Sequence, residues 1–297
     1  MRQQTLRDVE VILIDNASTD GSREYVRSEY PEVEVIPLTS NQGFAAAVNC
    51  GIGASKAPLI ALLNNDTVVY PGWAKALVDA ATAHPETALF ASKMVTLADR
   101  TVIDSCGVGM TWSGRSYNIR EGEQDTGQFN QEKEVFGACA GAALYRASLF
   151  AAIGLFDETF FAYLEDVDID FRARLAGFQC LYVPKAVVAH IGSATSGKGS
   201  AFAFRLMVKN HFHLIHKNYP TALLWKHSAK LLYAEARLIA AAVRDGHTTA
   251  YLSGLGQAVR ESPQMYRRRK DVQGMKAVSA EQLNQVIFQN FQYGKHR

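Results

Sequence analysis

Three things are scarce in this chain of 297 residues: paired cysteines, long apolar runs, and an excess of charge of either sign. Cys50, Cys106, Cys139 and Cys180 show no Cys-x-x-Cys spacing, which argues against a zinc site or a disulfide framework and for reduced thiols. No window approaches the roughly 18 consecutive apolar residues of a membrane span. The opening Met1-Arg-Gln-Gln-Thr-Leu-Arg-Asp8 has no apolar core of the signal-peptide kind. The expectation is a cytoplasmic protein, or one lying peripherally on the inner face of the cell membrane. A formal charge of +2 and the lack of an arginine-rich or aromatic-basic repeat speak against a nucleic-acid partner. What remains is a composition 48% hydrophobic and 20% charged, ordinary for a globular protein with a sizeable core.

Short apolar runs alternate with helical spacing through the first half, the pattern of βα units around a largely parallel sheet. Strands are expected at Val9–Ile14, Val33–Pro37, Leu59–Leu63 and Ala88–Thr96, and helices at Ser22–Glu29, Asn41–Ser55 and from Trp73. Asp99–Glu134, rich in glycine and polar residues, predicts hairpins and a long loop. Order returns at Val135–Tyr145, a run rich in small residues; helices follow at Ala147–Ile153 and Glu165–Ala176, the latter stopped by Gly177. Cys180–Ala189 is an extended run interrupted by Pro184, which suggests an edge strand or two short ones; it leads through His190 into a loop at 191–197. Beyond Ser200 only helical spacing remains, in Ala203–Asn218, Ala222–Arg244 and Thr248–Glu261. The division expected is a catalytic unit at 1–200 and a C-terminal helical region at 201–297.

Polar residues cluster where strands end, the place where ligands of open α/β sheets bind. Asp15 and Asn16 close the first strand; a carboxylate there can accept from a pyrimidine ring N–H, or merely shape a turn and cap a helix. Asn64-Asn65-Asp66 closes another, and Asp66 is either a turn residue or a ligand of Mg²⁺ or Mn²⁺ on a diphosphate. In Phe160-Phe-Ala-Tyr-Leu-Glu-Asp-Val-Asp-Ile-Asp-Phe-Arg172, acids at a helix N-terminus suit the helix dipole. Four within six positions still exceed what capping needs, and one can serve as a general base. His190 taken alone is better explained by structure than by ligation.

Taken in order, Val11-Ile-Leu-Ile-Asp-Asn-Ala-Ser-Thr-Asp-Gly-Ser22, Asn41-Gln-Gly-Phe-Ala-Ala-Ala-Val-Asn49, Leu62-Leu-Asn-Asn-Asp66, Gly154-Leu-Phe-Asp-Glu158 and Glu165-Asp-Val-Asp168 resemble the family 2 inverting glycosyltransferases. The nearest branch is rhamnosyltransferase-like and builds bacterial surface polysaccharides. The resemblance covers roughly residues 9 to 215. It implies a GT-A fold, a Rossmann-like α/β architecture whose mixed, mostly parallel sheet is flanked by helices, here with a C-terminal helical appendage. It also implies transfer of a sugar from a dTDP- or UDP-linked donor to a saccharide or polyprenyl-linked acceptor. By the same resemblance Asp15 recognises the pyrimidine, and Asn16, Asn41, Gly43 and Asn65 border the nucleotide pocket. Asp66 is the carboxylate of the metal motif, His190 completes the Mg²⁺ or Mn²⁺ site, and Asp166 is the general base with Glu165 as its understudy. Small residues in Gly137-Ala-Cys-Ala-Gly-Ala142 either admit sugars close to the backbone or pack tightly.

Relatives begin with an earlier strand and helix, whereas this sequence starts in the loop that follows them; about 30 residues, one βαβ unit's worth, are expected to be absent. The competing reading is therefore a truncated, catalytically impaired sugar-nucleotide-binding or interaction protein. A dinucleotide-binding dehydrogenase fares worse, since Gly107-Val-Gly109 lacks the third glycine. Ala222–Tyr233 mixes apolar residues, lysines and Trp225, fit for a membrane interface assisted by the basic run Arg267–Lys270, or for packing on the catalytic unit or a second subunit in a homo-oligomer.

Overall fold

The computed structural model describes residues 1–192 and 200–292; the part of the expected 191–197 loop beyond Gly192 lies outside the described residues. Strands β1 (Ile12–Asp15) and β2 (Glu34–Pro37) form a parallel pair connected through helix α1 (Ser22–Glu29). Helix α2 (Phe44–Ala54) lies on β1, with Gly51 close to the Ile14 side chain. Then come β3 (Leu59–Leu63), β4 (Thr67–Val69), α3 (Trp73–Ala83) and β5 (Leu89–Thr96). The glycine-rich stretch supplies short strands: β6 (Ile103–Ser105), β7 (Val108–Met110), β8 (Ser116–Asn118) and β9 (Lys133–Val135). Strand β10 (Ala142–Arg146), α4 (Ala147–Ile153), a 3₁₀ turn (Glu158–Phe160), α5 (Glu165–Leu175) and β11 (Cys180–His190) complete this part.

The main sheet has seven strands in the order β3-β10-β5-β11-β4, with β6 on β5 and β9 on β11. β3, β5 and β11 point the same way, because β10 is antiparallel to both β3 and β5 while β5 and β11 are parallel. This is the parallel frame that βα alternation predicts. Of the strands running against it, β6, β9 and β10 come from the region without helical crossovers, and β4 turns straight back from β3. Among the described residues, the β1–β2 pair forms a separate two-stranded sheet.

Side chains alternate between two covered faces, as period-two strands require. Ala143 and Tyr145 of β10 join Leu89, Ala91 and Val95 of β5 in one core, while Ala142, Leu144, Phe90 and Met94 pack with Trp73 and Leu77 of α3 in the other. Pro184 sits inside β11 at a register shift between Val183 and Val187. There β9 has ended at Tyr182 and β4 begins only at Val188, so the missing N–H meets no neighbouring strand.

The C-terminal helices are α6 (Ala201–Asn218), α7 (Thr221–Lys226), α8 (Ser228–Arg244), α9 (Thr248–Gly274) and α10 (Ala280–Gln292). The helix expected over 222–244 breaks at His227, which is buried, stacked on Trp112 and bonded through Nε2 to Asn284 Oδ1 at 2.8 Å. α9 runs through Pro263 to Gly274 instead of ending near Glu261. The carbonyl that Pro263 leaves without a donor belongs to exposed Val259, where water can serve it. One core contains Phe160, Val167, Phe171 and Leu175 together with Leu214, Tyr219, Leu223, Val272 and Leu283, so the C-terminal helices share their interior with α5.

Candidate active site

Asp15 is the last residue of β1 and is buried; Oδ1 accepts from the Ser18 N–H at 3.0 Å, and Oδ2 has no partner in the protein. Hydrogen bonds from Ser18 hold its carboxyl below the usual range, so it is an anion at neutral pH. Beside it, Asn16 accepts from the Gln42 N–H at 2.9 Å and donates to Asn41 Oδ1 and the Gly43 carbonyl at 3.1 Å each. Asn41 Oδ1 accepts the Gly43 N–H as well, at 3.0 Å. Gly43 has φ 87°, and a Cβ there would stand 2.5 Å from the Phe161 carbonyl oxygen, so only glycine fits. Four of the expected nucleotide-side residues thus form one polar rim.

At the end of β3 the Asn64 N–H donates to the Gly141 carbonyl at 2.9 Å, Asn65 is exposed, and the Asp66 carbonyl accepts from Ile191 just past β11 at 3.0 Å. The β4–β11 ladder sets Thr67 opposite His190. It leaves His190 Nε2 at 3.4 Å from Asp66 Oδ2, while Nδ1 lies 2.9 Å from Asp104 Oδ2 on β6. The bond to Asp104 raises the His190 pKa against the effect of burial, with Asp66 adding to the rise. Asp66 Oδ1 is buried without a protein partner. Among the described residues no three His, Cys, Asp or Glu side chains group as a metal cage. Yet one unpartnered carboxylate oxygen beside an imidazole is a donor pair that a divalent cation would fit.

Glu165 and Asp166 open α5 after a loop in which Phe161, Tyr163 and Leu164 all have positive φ, a conformation costing about 1–3 kcal/mol per residue unless the surroundings impose it. The clamp is Asn210 of α6, whose Nδ2 lies 2.7–2.9 Å from the carbonyls of Phe160, Ala162 and Tyr163. Asp166 accepts from the Val167 N–H at 2.8 Å and the Ala140 N–H at 3.3 Å. Burial still raises its pKa. Glu165 is buried with Oε2 unpartnered, and burial, reinforced by Asp166, pushes it up to about 8.

The other two acids of the run are structural. Asp168 binds Arg172, Lys217 and Asn218, and Arg172 in turn donates to the carbonyls of Ile153, Gly154 and Leu155, fixing the Gly154–Glu158 turn. Asn49 holds that turn from α2, exchanging hydrogen bonds with the Phe156 backbone. Asp170 is fully buried, which drives its pKa well up, and a Cβ on Gly137 would stand 1.9 Å from its Oδ2. At Gly137 the small residue therefore answers to packing.

Segment 137–142 joins these parts: its Gly141 carbonyl takes the Asn64 N–H, and its Ala140 N–H meets Asp166. The Phe161 carbonyl, just ahead of α5, accepts the Ala45 N–H beside Gly43 at 3.2 Å. Sequence reasoning missed Asp104 and Asn210. Asp104 lies in a three-residue strand too short for periodicity, and Asn210 on a helix face that looks merely amphipathic.

Residues 1–154 match the family model described as Glycosyl transferase family 2. An N-acetylglucosaminyl-diphospho-decaprenol L-rhamnosyltransferase of Mycobacterium tuberculosis is 29% identical over 222 residues, 66% of this chain and 71% of that protein. Rhamnosyltransferase WbbL of Escherichia coli is 35% identical over 78 residues, 26% of this chain and 30% of its own length. The crystal structure of GalNAc-T7 with UDP, GalNAc and Mn²⁺ superposes with a TM-score of 0.57 at 17% identity, a likeness of fold that covers 72% of this chain but only 44% of that one.

Proposed function

Because the chain belongs to glycosyl transferase family 2, we propose that it transfers L-rhamnose, with inversion, from a dTDP- or UDP-linked donor to a polyprenyl-linked saccharide at the inner face of the membrane. The observation that carries this reading is the shared backing of two groups by segment 137–142: Asp166 on one side and the Asn64–Asp66 turn leading to His190 on the other. The names of the rhamnosyltransferase relatives support the sugar and the lipid-linked acceptor. Residues 1–200 serve as the donor-binding and catalytic unit, and 201–297 as its helical support.

Asp15 offers its free Oδ2 to a pyrimidine N–H, and Asn16, Asn41, Gly43 and Asn65 border the nucleotide. Asp66 and His190 would hold Mg²⁺ or Mn²⁺, which would supply positive charge beside the diphosphate. Asp166 takes the proton of the acceptor hydroxyl as its oxygen bonds to the anomeric carbon from the face opposite the leaving group. The bond from that carbon to the diphosphate breaks, and its electron pair departs with the nucleoside diphosphate. Glu165 is the reserve base, and it must first lose the proton that burial and Asp166 help it keep.

The test is transfer from dTDP-rhamnose and UDP-sugars, with Mn²⁺, to a polyprenyl-diphosphate-linked N-acetylglucosamine. Wild type should transfer, and Asp166→Asn should lose about 10²–10⁴ of the rate while binding donor normally. Neither transfer nor donor hydrolysis by folded wild type would reject the enzyme reading.

A further inference from the structure

Helix α8 turns an apolar face outward. Leu232, Tyr233, Ile239 and Val243 are 72%, 65%, 44% and 61% exposed, and Trp225, at the end of α7, is 78% exposed. The opposite side of α8, through Leu238 and Ala242, is the side that packs on Val208 and Tyr251. The outward residues of α8, Ala229, Leu232, Ala236, Ile239 and Val243, alternate in steps of three and four, the spacing of a helix–helix seam. We propose that this face is a two-fold homodimer interface, in which α8 of one copy lies antiparallel on α8 of a second copy.

The size pattern favours a second copy. An antiparallel pair centred beside Ala234 sets Leu232 against the partner's Ala236 and Ile239 against the partner's Ala229. Each large side chain meets a smaller one, and every contact occurs twice, as an isologous interface requires. Complete burial of these five side chains, Trp225 and Tyr233 included, would remove at most roughly 600 Å² per copy, or about 1,200 Å² for the pair, the lower end of specific interfaces.

Charge argues in the same direction. The seam itself carries none, and the cations along its edges already have partners within the chain. Lys226 pairs with Glu281 at 3.1 Å, Lys230 sits 4.1 Å over the Trp112 ring, Arg237 lies 6.0 Å from the Tyr233 ring, and Arg244 pairs with Asp245 at 2.7 Å. In the expected basic run, Arg268 binds Asp157 and Arg269 binds the carbonyls of His216 and Tyr219. The acids paired with Lys226, Arg244 and Arg268 offset their charge and weaken the pull of an anionic lipid surface on this face. The proposal is independent of the transferase reading.

Sedimentation velocity of the full chain should give about twice the 32.6 kDa of one chain. Leu232→Ala and Ala236→Leu should each weaken association about tenfold or more, by undersizing and overfilling the same contact. The double variant, which exchanges the two sizes, should restore it. Circular dichroism should leave all three as folded as wild type, since these side chains are exposed. A monomeric wild type, a dimer indifferent to both single changes, or a double variant no better than either would each overturn the proposal. So would a wild type that stays monomeric and co-sediments with phosphatidylglycerol vesicles, which would assign the face to lipid.

Discussion

Lys217 Nζ of α6 lies 2.7 Å from Asp168 Oδ1 of α5 and 2.6 Å from Asp157 Oδ2, with all three side chains buried. Burial alone would raise the Asp168 pKa; the charges of Lys217 and Arg172 and the hydrogen bonds from Lys217 and Asn218 overcome it and hold the carboxyl below its usual value. Burial lowers Lys217 to about 8, so the pair is charged at neutral pH. The cluster ties α6 to the helix that carries Asp166 and to the turn before it. Lys217→Met strips two buried carboxylates of this cation and should cost about 3–5 kcal/mol. Lys226→Met, which removes an exposed bridge to Glu281, should cost about 0–1 kcal/mol. Urea denaturation of the two variants checks the contrast, and equal small losses would reject the clasp.

Glu165 gives the stability of the protein a pH dependence of known sign. Its pKa is raised from 4.5 to about 8 by burial and by Asp166, so the folded protein holds this proton more tightly than the unfolded chain. The stabilisation is complete below about 4.5 and is lost as pH rises through about 8. Glu165→Gln keeps a neutral side chain at every pH. Relative to wild type the variant should gain stability steadily across that window, read from denaturant midpoints in a pH series. Parallel curves would mean that Glu165 is solvated in the protein.

Asp104 touches His190 and acts through it, as a positioning residue. With Nδ1 held at 2.9 Å, the imidazole keeps Nε2 turned toward Asp66, and such outer partners typically change metal affinity 10–100-fold. Asp104→Asn should weaken Mn²⁺ binding by about that factor in a calorimetric or spin-resonance titration without substrate. Thermal stability should stay near wild type, because Asp104 is partly exposed. Unchanged Mn²⁺ affinity would leave Asp104 with only a packing role.

The legible parts of this chain were those where one periodicity rules a whole element. Leu59–Leu63, Ser22–Glu29 and Ala147–Ile153 form over the residues expected, because one local pattern runs the length of each. Asp15 and Asp66 stood out because strand ends collect polar groups, and Asn41 through the resemblance alone. What stayed hidden depended on distant partners: the break at His227 is set by Trp112 and Asn284, and the burial of Asp170 by the bare backbone of Gly137. No local pattern encodes a helix that continues through Pro263, since only the exposure of Val259 makes the lost hydrogen bond tolerable.

Gly43 makes the closest test of how the polar rim is held to α5. Its φ of 87° disfavours any side chain, and the missing Cβ leaves room for the Phe161 carbonyl and ring, which would otherwise stand 2.5 and 2.6 Å away. Phe161 cannot retreat freely: its own φ is positive, its carbonyl accepts the Ala45 N–H, and the neighbouring carbonyls lie on Asn210. Gly43→Ala must therefore displace the loop before Glu165 or tilt the start of α2. The expected cost is about 1–3 kcal/mol of stability, with weaker binding of a nucleoside diphosphate measured by calorimetry. Gly53→Ala on the same helix, where a Cβ would meet nothing within 4 Å, should be neutral or slightly stabilising. If both variants behaved alike in denaturation and nucleotide binding, the close approach of Phe161 to Gly43 would have no energetic weight.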